Sequence, residues 1–193
     1  MREAFAMTSA RREHLVDTAA KLFARHGFHA TGIDRILAEA GVAKMTLYKH
    51  FRSKDELILA ALRRRDEEFR NWFRRRLEAG GETPRTRLMA IFDVLAEWFE
   101  QPDFYGCTFA AAAAEFHDAK DPIHAAAAEH KRLLLGHLRE LAAAAGAVDP
   151  DALAEELALL MEGATALAHV CGEKNLRAAR HAAELLIDEA LAG

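Results

Sequence analysis

Three dipeptides, Thr83-Pro84, Asp121-Pro122 and Asp149-Pro150, constrain this chain more than any other feature. Each places a helix-capping side chain directly before a proline. The fixed φ and missing N–H of proline fit the first turn of a helix and are excluded from its interior. Glycines at Gly27, Gly41 and Gly172 supply the matching stop signals. Between starts and stops the apolar residues recur at helical spacing, as in Leu15, Ala19, Leu22, Phe23 and His26, in Ile33, Ile36, Leu37 and Ala40, and in Leu88, Ile91, Phe92, Leu95, Trp98 and Phe99. No alternating strand pattern occurs, and Val and Ile together number only 11, so the composition favours helix over strand.

The punctuation predicts an all-α chain of about nine helices. The first covers about 9–27. A capping box over Thr31 to Asp34 opens the second, and a third runs from about Ala43 to His50. A further capping box over Ser53 to Glu56 opens a long fourth helix reaching about Leu77, where Gly80-Gly81 breaks the chain. The fifth starts at Thr83-Pro84 and runs to Pro102. An alanine-rich sixth covers about 107–118. The seventh and eighth follow Asp121-Pro122 and Asp149-Pro150, and the ninth starts near Asn175. The expected organisation is a three-helix helix-turn-helix domain over residues 8–54 and a helical domain over 55–193.

Charge divides the chain unevenly. Residues 1–54 hold 10 Lys+Arg against 5 Asp+Glu, a net of +5, whereas residues 55–193 hold 16 against 25, a net of −9. A basic front end on an acidic body is the asymmetry of a chain whose one end meets a polyanion. Two cysteines, Cys107 and Cys171, make no disulfide framework. The start, Met1 to Phe5, lacks the apolar run of a signal peptide, and no apolar stretch reaches the roughly 20 residues that cross a membrane. The expectation is a cytoplasmic protein with no membrane partner.

The segment from Thr31 to Lys54 carries the functional reading. It is two short helices joined by a tight turn, for which Gly41 provides the positive φ. In the third helix only Leu47 is clearly an inward residue. Lys44, Met45, Thr46, Tyr48, Lys49 and His50 face outward. Seven residues cannot be held helical by propensity alone, so such a helix fits the presentation of side chains to an outside partner. Cationic and hydroxyl-bearing donors suit phosphates and base edges in a major groove. The helix N-termini at Thr31-Gly32 and Ser53-Lys54 frame this surface with exposed N–H groups.

On these residues the chain resembles the tetracycline-repressor-type (TetR) regulators. The matching positions are Ile36, Ala40-Gly41-Val42, Thr46-Leu47-Tyr48, His50-Phe51 and Lys54-Asp55-Glu56-Leu57, with Leu22-Phe23 and Gly27-Phe28 in the first helix. Two positions depart: Leu37 stands where a small residue is usual, and Ala43 replaces a capping serine, which should weaken the start of the third helix by about 1 kcal/mol. The resemblance implies a homodimer on a palindromic operator in double-stranded DNA, released by a small-molecule effector, with repression the commoner outcome. It implies phosphate contacts at Tyr48, His50 and Lys54 and at the backbone of Thr31 and Gly32. Lys44, Met45, Thr46 and Lys49 become the candidates for base-edge contacts.

Beyond residue 55 the sequence is less specific. Phe69, Trp72, Phe73, Phe92, Trp98, Phe99, Phe109 and Phe116 are either core or, with the alanine run Ala110 to Ala114, the lining of a pocket for an apolar or aromatic effector. Leu157, Met161, Ala164, Ala168, Ala179, Ala183 and Leu186 form either an internal hairpin or, as the resemblance favours, a dimer interface. Cys107 reads as a small structural cysteine because nothing nearby in sequence would activate it. The histidines His117, His124, His130 and His137 lack ligand spacing, so neither a metal nor another cofactor is expected. No catalytic arrangement is visible, and an enzyme is not expected. The alternative reading is a helical ligand-binding or scaffold protein that no longer binds DNA.

Overall fold

The structure is a computed structural model that describes residues 2–192, with side chains described from residue 10. The chain start read for targeting signals lies largely outside the described side chains. The described residues form helices only: α1 (Arg2–His26), α2 (Ile33–Ala40), α3 (Lys44–His50), α4 (Lys54–Gly80), α5 (Pro84–Met89), α6 (Ile91–Phe99), α7 (Thr108–Glu115), α8 (Pro122–Ala145), α9 (Pro150–Cys171) and α10 (Arg177–Leu191). These match the nine expected helices, with the fifth divided at Ala90. There the backbone turns with ψ −11° and Ala90 N–H bonds Thr86 O at 3.0 Å, so α5 ends one residue before α6 begins.

The start signals act largely as read. Thr83 caps α5 in a reciprocal capping box with Thr86, and Asp149 accepts from Ala152 N–H at the start of α9. At α4, Ser53 Oγ accepts from Glu56 N–H at 3.2 Å, while Glu56 reaches back to Arg52 N–H rather than to Ser53. The capping box expected at Thr31 does not form. Gly32 is the N-cap of α2 without a side-chain bond, and Thr31 is wholly buried, its hydroxyl donating to Gly27 O at 2.7 Å. Thr31 therefore closes the end of α1 instead of opening α2.

Two compact units result, Met1–Glu68 with Thr108–Glu129, and Phe69–Cys107 with His130–Gly193. In the first, α1, α2 and α3 pack around Leu15, Ala19, Phe23, Ile36, Leu47 and Phe51, all buried. The first turns of α4, with Leu57 and Ile58, and α7, with Phe109 and Ala112, belong to the same unit. In the second, α9 packs on α10 and α6, and α10 on α5. Its core holds Phe73, Leu88, Phe92, Phe99, Leu138, Leu157 and Ile187, each at 0% exposure. Full burial of a side chain of this kind is worth about 1.5–3 kcal/mol.

His137 on α8 sits within this second unit, and both its ring nitrogens are buried without a hydrogen-bond partner. Burial first, then the charge of Arg74, holds its pKa below the ordinary histidine value, against weaker opposing effects of Glu140 and Glu78. The unfolded chain therefore binds a proton here at a pH where the folded chain does not. Stability is expected to fall as pH drops below about 6.5, down to the folded pKa. In His137→Leu the decline between pH 6.5 and 5 should be shallower, as read by urea unfolding at each pH. Parallel curves for the two proteins would contradict this assignment.

Candidate nucleic-acid interface

The helix-turn-helix is built from local rules. α2 ends at Gly41 in the left-handed region (φ 63°), where its N–H bonds Ala38 O and Val42 N–H bonds Leu37 O. This turn redirects the chain into α3 within three residues, and a residue with a Cβ would adopt it at a cost. His14 Nε2 lies 3.0 Å from Ala40 O, and the Arg12 guanidinium lies 5.1 Å over the Phe51 ring, so α1 braces both sides of the motif. As expected from Ala43, α3 starts without a side-chain cap.

α3 has one buried residue, Leu47, at 0% exposure. Met45 is 72% exposed and Tyr48 50%, and Lys44 and Lys49 are also exposed. Thr46 and His50 are half-buried. Of the cationic and hydroxyl-bearing residues named on α3, Lys44, Tyr48 and Lys49 are thus exposed to solvent, and Thr46 and His50 partly so. Lys44 makes only a 4.0 Å surface pair with Asp34, which is worth little and leaves its charge available. Lys54 occupies the first position of α4 and donates from Nζ to His29 O at 3.3 Å. Of the two residues expected to offer backbone amides, Gly32 is exposed at the α2 N-terminus and the side chain of Thr31 is turned inward.

One anchor of this surface comes from far along the chain. The Glu115 carboxylate at the end of α7 accepts from Phe28 N–H at 2.8 Å and His29 N–H at 2.6 Å, more than 80 positions away. Burial pushes the Glu115 carboxyl up, but the bonds from His29 and Phe28 outweigh this and hold it below the ordinary carboxylate range.

The eight aromatic residues divide between the two units. In the second unit Phe69 meets Trp72, Phe73 and Trp98 with ring centroids 5.1–5.8 Å apart, Trp98 meets Phe99 at 5.7 Å, and Phe92 is buried in the same core. Phe109 and Phe116 belong to the first unit, where Phe116 stacks on His29. A cleft of about 360 Å³ in the second unit is lined by Lys131, Leu134, Leu135, Ala158, Met161 and Glu162, none of which was expected at a pocket. Beside it, Lys131 pairs with Glu162 and donates to Cys107 Sγ at 3.3 Å. The surroundings of Cys107 are thus set by a lysine 24 positions away, which its sequence neighbours could not show.

Of the residues expected at a dimer interface, Leu157, Met161, Ala164, Ala168 and Ala183 are buried in the unit's own core, and Ala179 and Leu186 are half-buried against it. The same helices carry a second apolar face. Leu159 (73% exposed), Leu167 (55%) and Val170 (78%) on α9 and Leu185 (58%) on α10 point outward. Among the described residues no cluster of three or more His, Cys, Asp or Glu could hold a metal ion, and no helix is long and apolar enough to cross a membrane.

Comparison with known proteins agrees with this geometry. Residues 15–61 match the family described as bacterial regulatory proteins, tetR family, and residues 84–185 match the tetracyclin repressor-like C-terminal domain. The transcriptional activator FasR of Mycolicibacterium smegmatis is 38% identical over 90 residues, which span 47% of this chain and 41% of that protein. The transcriptional regulator YjdC of Escherichia coli is 25% identical over 79% of this chain and 80% of its own length. The crystal structure of SCO4454, a TetR-family transcriptional regulator from Streptomyces coelicolor, superposes with a TM-score of 0.86 at 33% identity, covering 94% of this chain and 96% of that one. With the helix-turn-helix and the helical body both matched, the chain belongs to the TetR family of DNA-binding transcriptional regulators.

Proposed function

We propose that this regulator binds a palindromic operator as a homodimer, represses the adjoining gene, and lets go of DNA when a small apolar or aromatic molecule occupies its helical body. The observation that carries the DNA-binding part is α3 itself: a seven-residue helix with one buried side chain and an outward set of cations and hydroxyls. DNA reading resides in residues 8–54, and effector binding and dimerisation in 55–193. Lys44, Met45, Thr46 and Lys49 meet base edges. Tyr48, His50, Lys54 and the backbone at Gly32 meet phosphates, whereas Thr31, having no exposed surface, makes no such contact. The exposed face of Leu159, Leu167, Val170 and Leu185 supports isologous pairing with a second copy. The α8–α9 cleft of about 360 Å³, with its mostly aliphatic lining, supports an apolar effector. Repression rests on family habit and on relatives named as repressors, such as NemR of Escherichia coli at 28% identity over 116 residues.

Lys54→Ala tests the placement of the phosphate contacts. Each neutralised phosphate contributes about −0.9 to the slope of log K against log salt. The variant should bind every duplex more weakly and lose about one unit of that slope per site, without a change in preferred sequence. Changes at Lys44 or Thr46 should instead alter which duplex is preferred. An unchanged affinity and slope in Lys54→Ala, measured by fluorescence anisotropy at several salt concentrations, would remove Lys54 from the interface.

A further inference from the structure

Loop 27–32 connects α1 to α2 and leads directly into the exposed Gly32 amide. It is held by a group from far along the chain. Glu115 Oε1 accepts from Phe28 N–H at 2.8 Å, and Oε2 accepts from His29 N–H at 2.6 Å and lies 2.7 Å from His29 Nδ1. The next residue continues the grip: the Phe116 ring stacks on His29 at 4.8 Å and meets the edge of Phe28 at 6.2 Å. Gly27 is shaped to this contact. It sits at φ 84°, and a Cβ there would come within 2.9 Å of Glu115 Oε1. From the other side Lys54 Nζ donates to His29 O, and Thr31 Oγ1 donates to Gly27 O. One carboxylate thereby fixes the backbone that sets both Gly32 and Lys54.

A negative charge beside a surface that meets a polyanion is unfavourable for binding. Its presence requires an offsetting gain, and the bonds to two backbone N–H groups provide one. We propose that Glu115 is a positioning residue for DNA binding: through Phe28 and His29 it holds the loop, the α2 N-terminus and Lys54 in the arrangement that meets phosphate. The arrangement then depends on where α7 stands. This rests on the reading that α2, α3 and the start of α4 face DNA.

The two accounts of Glu115 predict opposite signs. As a mere surface charge, its removal would tighten DNA binding. As a positioning residue, Glu115→Ala should weaken binding about tenfold or more while leaving the salt slope at the wild-type value, unlike Lys54→Ala. Glu115→Gln, which keeps one acceptor oxygen, should lose less. The probe is a duplex enriched by the wild-type protein from fragmented genomic DNA. Amide hydrogen exchange on the free protein supplies a second readout: protection should fall at Phe28 and His29 in Glu115→Ala and persist at Leu47 and Leu57. Unchanged or tighter binding, or unchanged protection at both amides, would overturn the proposal. If the wild-type protein enriches no duplex, the DNA reading fails, and the exchange measurement alone decides whether Glu115 holds the loop.

Discussion

Leu47→Ala is expected to abolish specific DNA binding while leaving the helical body folded. Leu47 is the only buried residue of α3 and has no exposed surface. Truncating a fully buried leucine costs about 2–5 kcal/mol, part transfer and part cavity. α3 has no reserve against that loss. It spans seven residues, below the length at which a helix sustains itself, and it starts without a side-chain cap. The surface that reads DNA would therefore fray before the rest of the protein unfolds. Binding titrations should show at least a hundredfold loss, and circular dichroism should retain most of the helical signal. Near-native affinity would mean that α3 is held by something other than Leu47.

The second large effect is expected at the outward face of α9. Leu167 lies between Leu159 and Val170 on a helix face that leaves all three more than half exposed in the single chain. Leu167→Glu should cost the monomer little, because surface substitutions of this kind usually change stability by less than about 0.5 kcal/mol. In an isologous dimer the same change buries two charges near one another, where each lacks a partner. Sedimentation should then report a monomer, and affinity for a two-half-site operator should fall by two orders of magnitude or more. Affinity for an isolated half-site should be unchanged. A variant that remains dimeric would place the interface elsewhere.

How far the sequence discloses these features depends on whether a feature is local. α3 was legible because one leucine among six outward residues is a local pattern, and Gly41 marks the turn by its own backbone freedom. Thr31 misled because a threonine three residues before Asp34 satisfies the capping-box pattern, yet the same hydroxyl can bond back to the carbonyl of Gly27. Spacing does not choose between the two. On α9 both faces are apolar, so periodicity could not separate the inward Leu157, Met161, Ala164 and Ala168 from the outward Leu159, Leu167 and Val170. The aromatic residues looked like one set because they share a chemistry. The fold sorts them by position, leaving Phe109 and Phe116 with α1 and the helix-turn-helix. The roles of Glu115 and Lys131 were hidden for the same reason: their partners, Phe28 and His29 for one, Cys107 and Glu162 for the other, lie 24 or more positions away.

The decisive measurement is selection of duplexes from fragmented genomic DNA by this chain, followed by titration of the enriched fragment at two salt concentrations. The expected result is an enriched palindrome whose half-sites lie about one helical turn apart, bound more weakly at the higher salt. Absence of any enriched sequence, with binding that does not change with salt, would contradict it.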